Sequence, residues 1–141
     1  MDRSRQNSTP LEVVPDRAGE EDRPGDADGV IHAHRVLDCF HPDAVLTEVT
    51  SNTVHTGRDD GIAAMFRRLF TDFEQLWHGN FVHVADTQSN AICSQFTVLI
   101  TPNGGDLLRY ENCNRFYLDG DRFSRVFVYM SGDNLLREGN A

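Results

Sequence analysis

The chain contains no lysine: all 13 of its basic residues are arginine, set against 22 acidic side chains and six histidines. The resulting formal net charge of -9 offers no positive surface to displace counterions from a polyanion, so neither nucleic acid nor an anionic membrane is an expected partner. No apolar run approaches the ~20 residues of a membrane-spanning helix. Nor does an apolar stretch follow the arginines of the opening MDRSRQNSTP, so no secretory signal is read there and a cytoplasmic protein is expected. Cysteine is scarce. Cys39, Cys93 and Cys113 are odd in number and widely spaced without a CxxC pair, which argues against a disulfide framework or a structural zinc site and predicts reduced, mostly buried thiols. HExxH, a strand-borne HxH, clustered carboxylates, a phosphate loop, a dinucleotide fingerprint and a nucleophile elbow are also missing, so no metal and no cofactor is expected.

What remains is a chain of single-domain size, its 141 residues enough to close one core. Residues 1–28 stand apart: they hold Pro10, Pro15 and Pro24, eight acidic and four basic side chains, and no aromatic residue. Such a segment has too little apolar surface to offset its ordering entropy, so it reads as a loosely attached tail, with the folded domain at 29–141.

Within that domain Val30, Ala33, Val36, Leu37 and Phe40 follow a helical spacing, and His41-Pro42-Asp43 should end that helix. Ala44 to Thr50 reads as a strand. Ile62, Met65, Phe66, Leu69, Phe70 and Phe73 recur at i, i+3, i+4, i+7, i+8 and i+11, the stripe of one long amphipathic helix. Thr56 with Asp59 is positioned as its capping box. Strand patterns follow at about 76–86, 91–101, 107–118 and 122–130. Asp119-Gly120-Asp121 forms a tight hairpin between the last two. Helices first and strands afterwards predict an α+β fold.

Alternation assigns the faces. In the 107–118 strand every charge falls on odd positions, so Tyr110, Asn112, Asn114 and Phe116 should face the helix, an apolar surface with neutral hydrogen-bonding groups as in a small-molecule cavity. In the last strand Val126, Val128 and Met130 face inward. Phe127 and Tyr129 lie outside, where a second copy of the chain is the expected cover.

Phe40-His41-Pro42-Asp43-Ala44-Val45, Val54-His55-Thr56-Gly57-Arg58 before the long helix, the Asn114–Asp121 hairpin and Val128-Tyr129-Met130-Ser131-Gly132 together resemble the SnoaL-like, ketosteroid-isomerase-like group of the nuclear-transport-factor-2-like superfamily. The resemblance spans about 30–135. It implies a cone-shaped, curved antiparallel or mixed sheet wrapped around a long helix, of the cystatin-like kind; the homodimer expected through the outer sheet face rests on Phe127, Tyr129 and Tyr117 instead. It also implies a hydrophobic small-molecule ligand and cofactor-free isomerase or cyclase chemistry on polyketide- or terpenoid-like compounds. The same superfamily holds epoxide hydrolases, dehydratases and noncatalytic binders, so those alternatives stay open. The lid helix common in the group falls here in the proline- and acid-rich tail.

The resemblance places Glu48 where the steroid isomerases have their general base, and Asn114 where they have an oxyanion-binding acid, a case that is a standard example of pKa tuning. On the inward parity, Glu48 would be partly desolvated and a better base near neutral pH; the other reading is a surface glutamate on an edge strand. Asn114 can donate a hydrogen bond at any pH, or it anchors a neighbouring loop. His78, beside Trp77, is either an acid or base at the cavity mouth or a solvated histidine. His78 and His83 sit at opposite parity on one strand, so at most one should face inward, and His32 and His34 diverge on a helix. Trp77, Tyr110, Asn112, Phe116, Met130 and Phe66 complete the expected ligand contacts.

Overall fold

The computed structural model describes residues 35–137. Residues 35–37 are helical. Six strands follow: β1 Phe40–Glu48, β2 Thr53–Thr56, β3 Phe73–Asp86, β4 Ala91–Pro102, β5 Leu108–Asp119 and β6 Arg122–Met130, with helix α1 at Ala63–Asp72 between β2 and β3. They form one mixed sheet in the order β2-β1-β6-β5-β4-β3. β1 and β6 run parallel and the other neighbours are antiparallel. The architecture is α+β, an open six-stranded sheet with a helix packed on one face. The expected tail, and the first part of the helix expected at 30–40, lie outside the described residues.

Three local expectations are corrected. Pro42 does not end a helix but lies inside β1, where the pairing with β6 shifts between Phe40 and Val45. A strand tolerates proline at such an irregularity because no ladder hydrogen bond is required there. The capping box does not form: the Thr56 side chain makes no cap bond, and Asp59 instead accepts from the Arg58 guanidinium at 3.0 and 3.1 Å. The single long helix is a π-helical turn, Gly57–Ile62, followed by the ten-residue α1. Gly57 enters that turn at φ 84°, and a Cβ on Gly61 would fall 2.7 Å from the backbone of Thr56, so the sharp entry from β2 depends on both glycines.

The expected stripe is nonetheless the face that packs. Ile62, Met65, Phe66, Leu69 and Phe73 are buried with Phe40, Leu46, Phe96, Val98, Ile100, Val126 and Val128 from the sheet. Edge-on rings tie the layers together, Phe40 lying 6.0 Å from Phe66 and 5.6 Å from Phe123.

One irregularity in β3 matters for the site. His78 pairs with Val98 and Gly79 with Thr97, but Val82 then pairs with Gln95 and His83 with Ser94, a register change of one residue between Gly79 and Val82. Asn80 occupies the left-handed region at φ 56°, which asparagine tolerates better than most residues. Its amide donates to Thr97 Oγ1 at 3.3 Å, and Thr97 donates to Glu111 at 3.0 Å, so the bulge is braced across three strands.

Candidate functional site

Between α1 and the inner sheet face lies a cavity of about 760 Å³, within the range that holds drug-sized ligands. Its wall is mainly apolar: Phe40, Leu46, Met65, Phe66, Leu69, Phe81, Phe96, Val98, Phe116, Phe123, Val126, Val128 and Met130 all line it. The polar groups that reach it are Arg35, Cys39, His78, His83, Ser94, Tyr110, Asn112 and Asn114. Among the described residues no aspartate or glutamate lines it.

Of the expected site residues, Asn114, His78, Tyr110, Asn112, Phe116, Met130 and Phe66 are brought together in this wall. Asn112 and Asn114 each have a buried Oδ1 without a hydrogen-bond partner, and Asn112 is 7% exposed. An unpaired buried amide oxygen of this kind costs about 1–3 kcal/mol, a cost that a ligand hydroxyl donating to it would remove. Burial raises the pKa of Tyr110, with Asp133 adding to the effect, so its phenol stays a protonated donor. His78 packs its ring 4.9 Å from Phe96, and burial pushes its pKa down to about 4. At neutral pH it presents an uncharged imidazole with one donor and one acceptor nitrogen.

Two expected residues lie elsewhere. Trp77, one position from His78, alternates to the outer side and leans over Gly79, where a Cβ would fall 2.2 Å from its ring; it does not line the cavity. Glu48 is fully buried, on the same side of β1 as Leu46, yet it also does not line the cavity. Its carboxylate is enclosed by the β1–β2 turn. Ser51 N–H donates at 2.9 Å and Thr50 N–H at 3.3 Å, and the hydroxyls of Thr50 and Ser51 also donate to it. Burial raises its pKa, but the four hydrogen bonds favour the ionised form and outweigh burial, leaving the pKa lowered. The expected gain in basicity is thus reversed, because the turn that buries the group also solvates it.

His83 is the residue that alternation misplaced. The one-residue bulge turns it to the same side as His78, and both line the cavity. Its Nδ1 lies 2.7 Å from Ser94 Oγ. The rings of His83, Phe81, Phe96 and His78 follow one another at 5.4, 5.2 and 4.9 Å. The signal was present in Gly79-Asn80, a pair that interrupts a strand pattern and marks a bulge. The thiols also differ from expectation: Cys39 and Cys113 are exposed, and Cys93 and Cys113 lie with sulfurs 3.5 Å apart on the outer face.

No family model matches the sequence, and no curated protein matches it. Solved structures do resemble its fold. A ketosteroid-isomerase-like protein from Catenulispora acidiphila, in complex with trimethylamine, superposes with a TM-score of 0.62 at 11% identity, over 69% of this chain and 73% of that one. A candidate polyketide cyclase from Xanthomonas campestris gives 0.61 at 14% identity, over 72% and 79%. AusH from Aspergillus nidulans gives 0.63 at 13% identity, over 75% and 77%. At such identities the likeness establishes architecture. The chain shares the α+β fold of these nuclear-transport-factor-2-like and ketosteroid-isomerase-like proteins, with its cavity between α1 and the inner face of the open sheet.

Proposed function

We propose that this protein is an enzyme that binds a neutral, largely apolar molecule of polyketide or terpenoid character and isomerises or cyclises it by proton transfer, without a cofactor. The observation that carries the reading is the convergence of uncharged polar groups, Asn112, Asn114, Tyr110 and His78, on one wall of an apolar cavity of about 760 Å³. Asn114 would steady the oxygen that gains negative charge, and its amide needs no protonation to donate. His78 would move the proton. A conjugate acid with a pKa of about 4 makes a weak base in the empty cavity, but charge forming on a nearby oxygen favours the imidazolium in a water-poor site. Glu48, held by its turn, is assigned to structure in this reading.

The test is α-proton exchange of 2-tetralone in D₂O, followed by mass spectrometry. Exchange well above the buffer rate is expected. Asn114→Ala should lower it about 10²-fold and His78→Phe by roughly 10²–10⁴-fold. A ketone that binds yet exchanges at the buffer rate would overturn the reading. It would favour a noncatalytic binding protein, which the absence of a carboxylate from the described cavity wall also supports.

A further inference from the structure

We infer that His83, Ser94 and Asn114 form one hydrogen-bonding row that grips a single uncharged oxygen of the ligand and selects against carboxylates. This inference rests on the cavity being the ligand site and goes on to say which chemistry it admits. The row follows from strand register. His83 pairs with Ser94 across β3 and β4, and Ser94 pairs with Asn114 across β4 and β5. All three side chains line the cavity. Ser94 is 5% exposed, with its Oγ 2.7 Å from His83 Nδ1, while the Asn114 Oδ1 is buried and unpartnered.

Such a row can present either polarity without carrying charge. When His83 Nδ1 bears the proton it donates to Ser94 Oγ, and the Ser94 hydroxyl hydrogen is free for a ligand carbonyl. When Nδ1 is bare it accepts that hydrogen, and Ser94 Oγ offers lone pairs to a ligand hydroxyl. The Asn114 amide adds an unpartnered Oδ1 that can accept and an NH₂ that can donate. The rows on either side are Phe96–Asn112–Met130 and Ile92–Phe116–Val126, and none of these six side chains is charged. A carboxylate seated there would find no permanent positive charge in its own row or the next, and Arg35, which also lines the cavity, lies outside them, so its burial is disfavoured. A ketone, enol or alcohol on an apolar skeleton meets no such cost.

The experiment compares three probes of nearly one shape by calorimetric titration: 2-acetonaphthone, 2-isopropenylnaphthalene, which replaces the carbonyl oxygen with CH₂, and 2-naphthoate. The wild type should bind the ketone about tenfold more tightly than the hydrocarbon, the scale of one or two well-placed hydrogen bonds, and the carboxylate most weakly. Ser94→Ala should bring the ketone to the affinity of the hydrocarbon while the hydrocarbon changes less than twofold, which also shows that the variant is folded. His83→Phe, which keeps a ring beside Phe81, should weaken the ketone preference, and the carbonyl stretch of bound ¹³C-labelled ketone should rise in both variants. Equal binding of ketone and hydrocarbon by the wild type, or a uniform loss of all three in Ser94→Ala, would overturn the row and leave the cavity standing. Failure of the wild type to bind any probe would overturn the cavity reading together with the row.

Discussion

Acidification should reveal His78 as a half-buried histidine held neutral by the apolar wall. In the folded chain its pKa is lowered from 6.5 to about 4 by burial beside Phe96, whereas in the unfolded chain the ordinary value returns. Between those values the unfolded state takes up a proton that the folded state refuses. Stability is therefore intact above pH ~6.5 and falls with pH until the folded imidazole titrates near 4. Worked through for one site, the loss is about 2 kcal/mol at pH 5 and about 3 kcal/mol at pH 4. His55, whose pKa is lowered by burial and then by Arg68, and Glu48, whose pKa is also lowered, lose stability in the same direction. The His78 share is isolated by subtraction against His78→Phe, which keeps a ring in place and cannot titrate. Urea unfolding of both proteins at pH 7.5 and 5.0 is the assay. With a slope of ~1–1.5 kcal/mol/M, the gap between their midpoints should change by roughly 1.3–2 M. A gap that is the same at both pH values would refute the reasoning, because it would mean that His78 titrates as an exposed histidine does.

Glu48→Gln should lower unfolding stability by about 1–3 kcal/mol, since the turn that donates four hydrogen bonds to it loses a charged acceptor. α-Exchange of 2-tetralone should stay within a fewfold of wild type, and a fall of 10² or more with stability intact would restore Glu48 as the base. A homodimer through the outer sheet face is expected around Tyr117, Phe127 and the exposed Tyr129, where Arg115 and Arg125 stack on Phe127 at 4.8 and 5.1 Å. Phe127→Arg should crowd a third guanidinium there and yield monomer by light scattering, and a wild type already monomeric at high concentration would end the idea. Removal of residues 1–25 should shift the thermal midpoint by only a few degrees, and insoluble protein instead would show that the segment completes the fold.

The core strands were legible because period-two alternation carries from sequence to sheet through 110–116 and 126–130, and it fails only at the register shift between Tyr117 and Leu118, which leaves Phe123 facing inward as well. Asn112, Asn114, Phe116, Val126, Val128 and Met130 therefore faced the helix as read. The helix stripe was legible for the same reason, at period 3.6. What the pattern could not carry was each place where backbone geometry changes parity or hydrogen bonding replaces solvent. The Asn80 bulge reversed His83, and with it the count of inward histidines. Glu48 had the correct parity but the opposite pKa shift, because the donors that enclose it, Thr50 and Ser51, lie in a turn whose conformation the sequence does not announce. Trp77 is an aromatic next to His78, but neighbours on a strand point to opposite faces, so only His78 reaches the cavity. Pro42 was read by its usual effect on helices, and its place in β1 depends on pairing with a strand some eighty residues later.

The central claim is that an apolar ligand with one neutral oxygen sits between α1 and the inner sheet face. Titrating ¹⁵N-labelled protein with 2-acetonaphthone and following both backbone and side-chain amide shifts tests this most directly. The account predicts that the Asn112 and Asn114 side-chain NH₂ signals and the backbone amides of His78, His83, Ser94 and Met130 move together along one saturating curve, while Tyr117, Phe127 and Tyr129 stay in place. Shifts confined to that outer face, or none at all at saturating ketone, would contradict it.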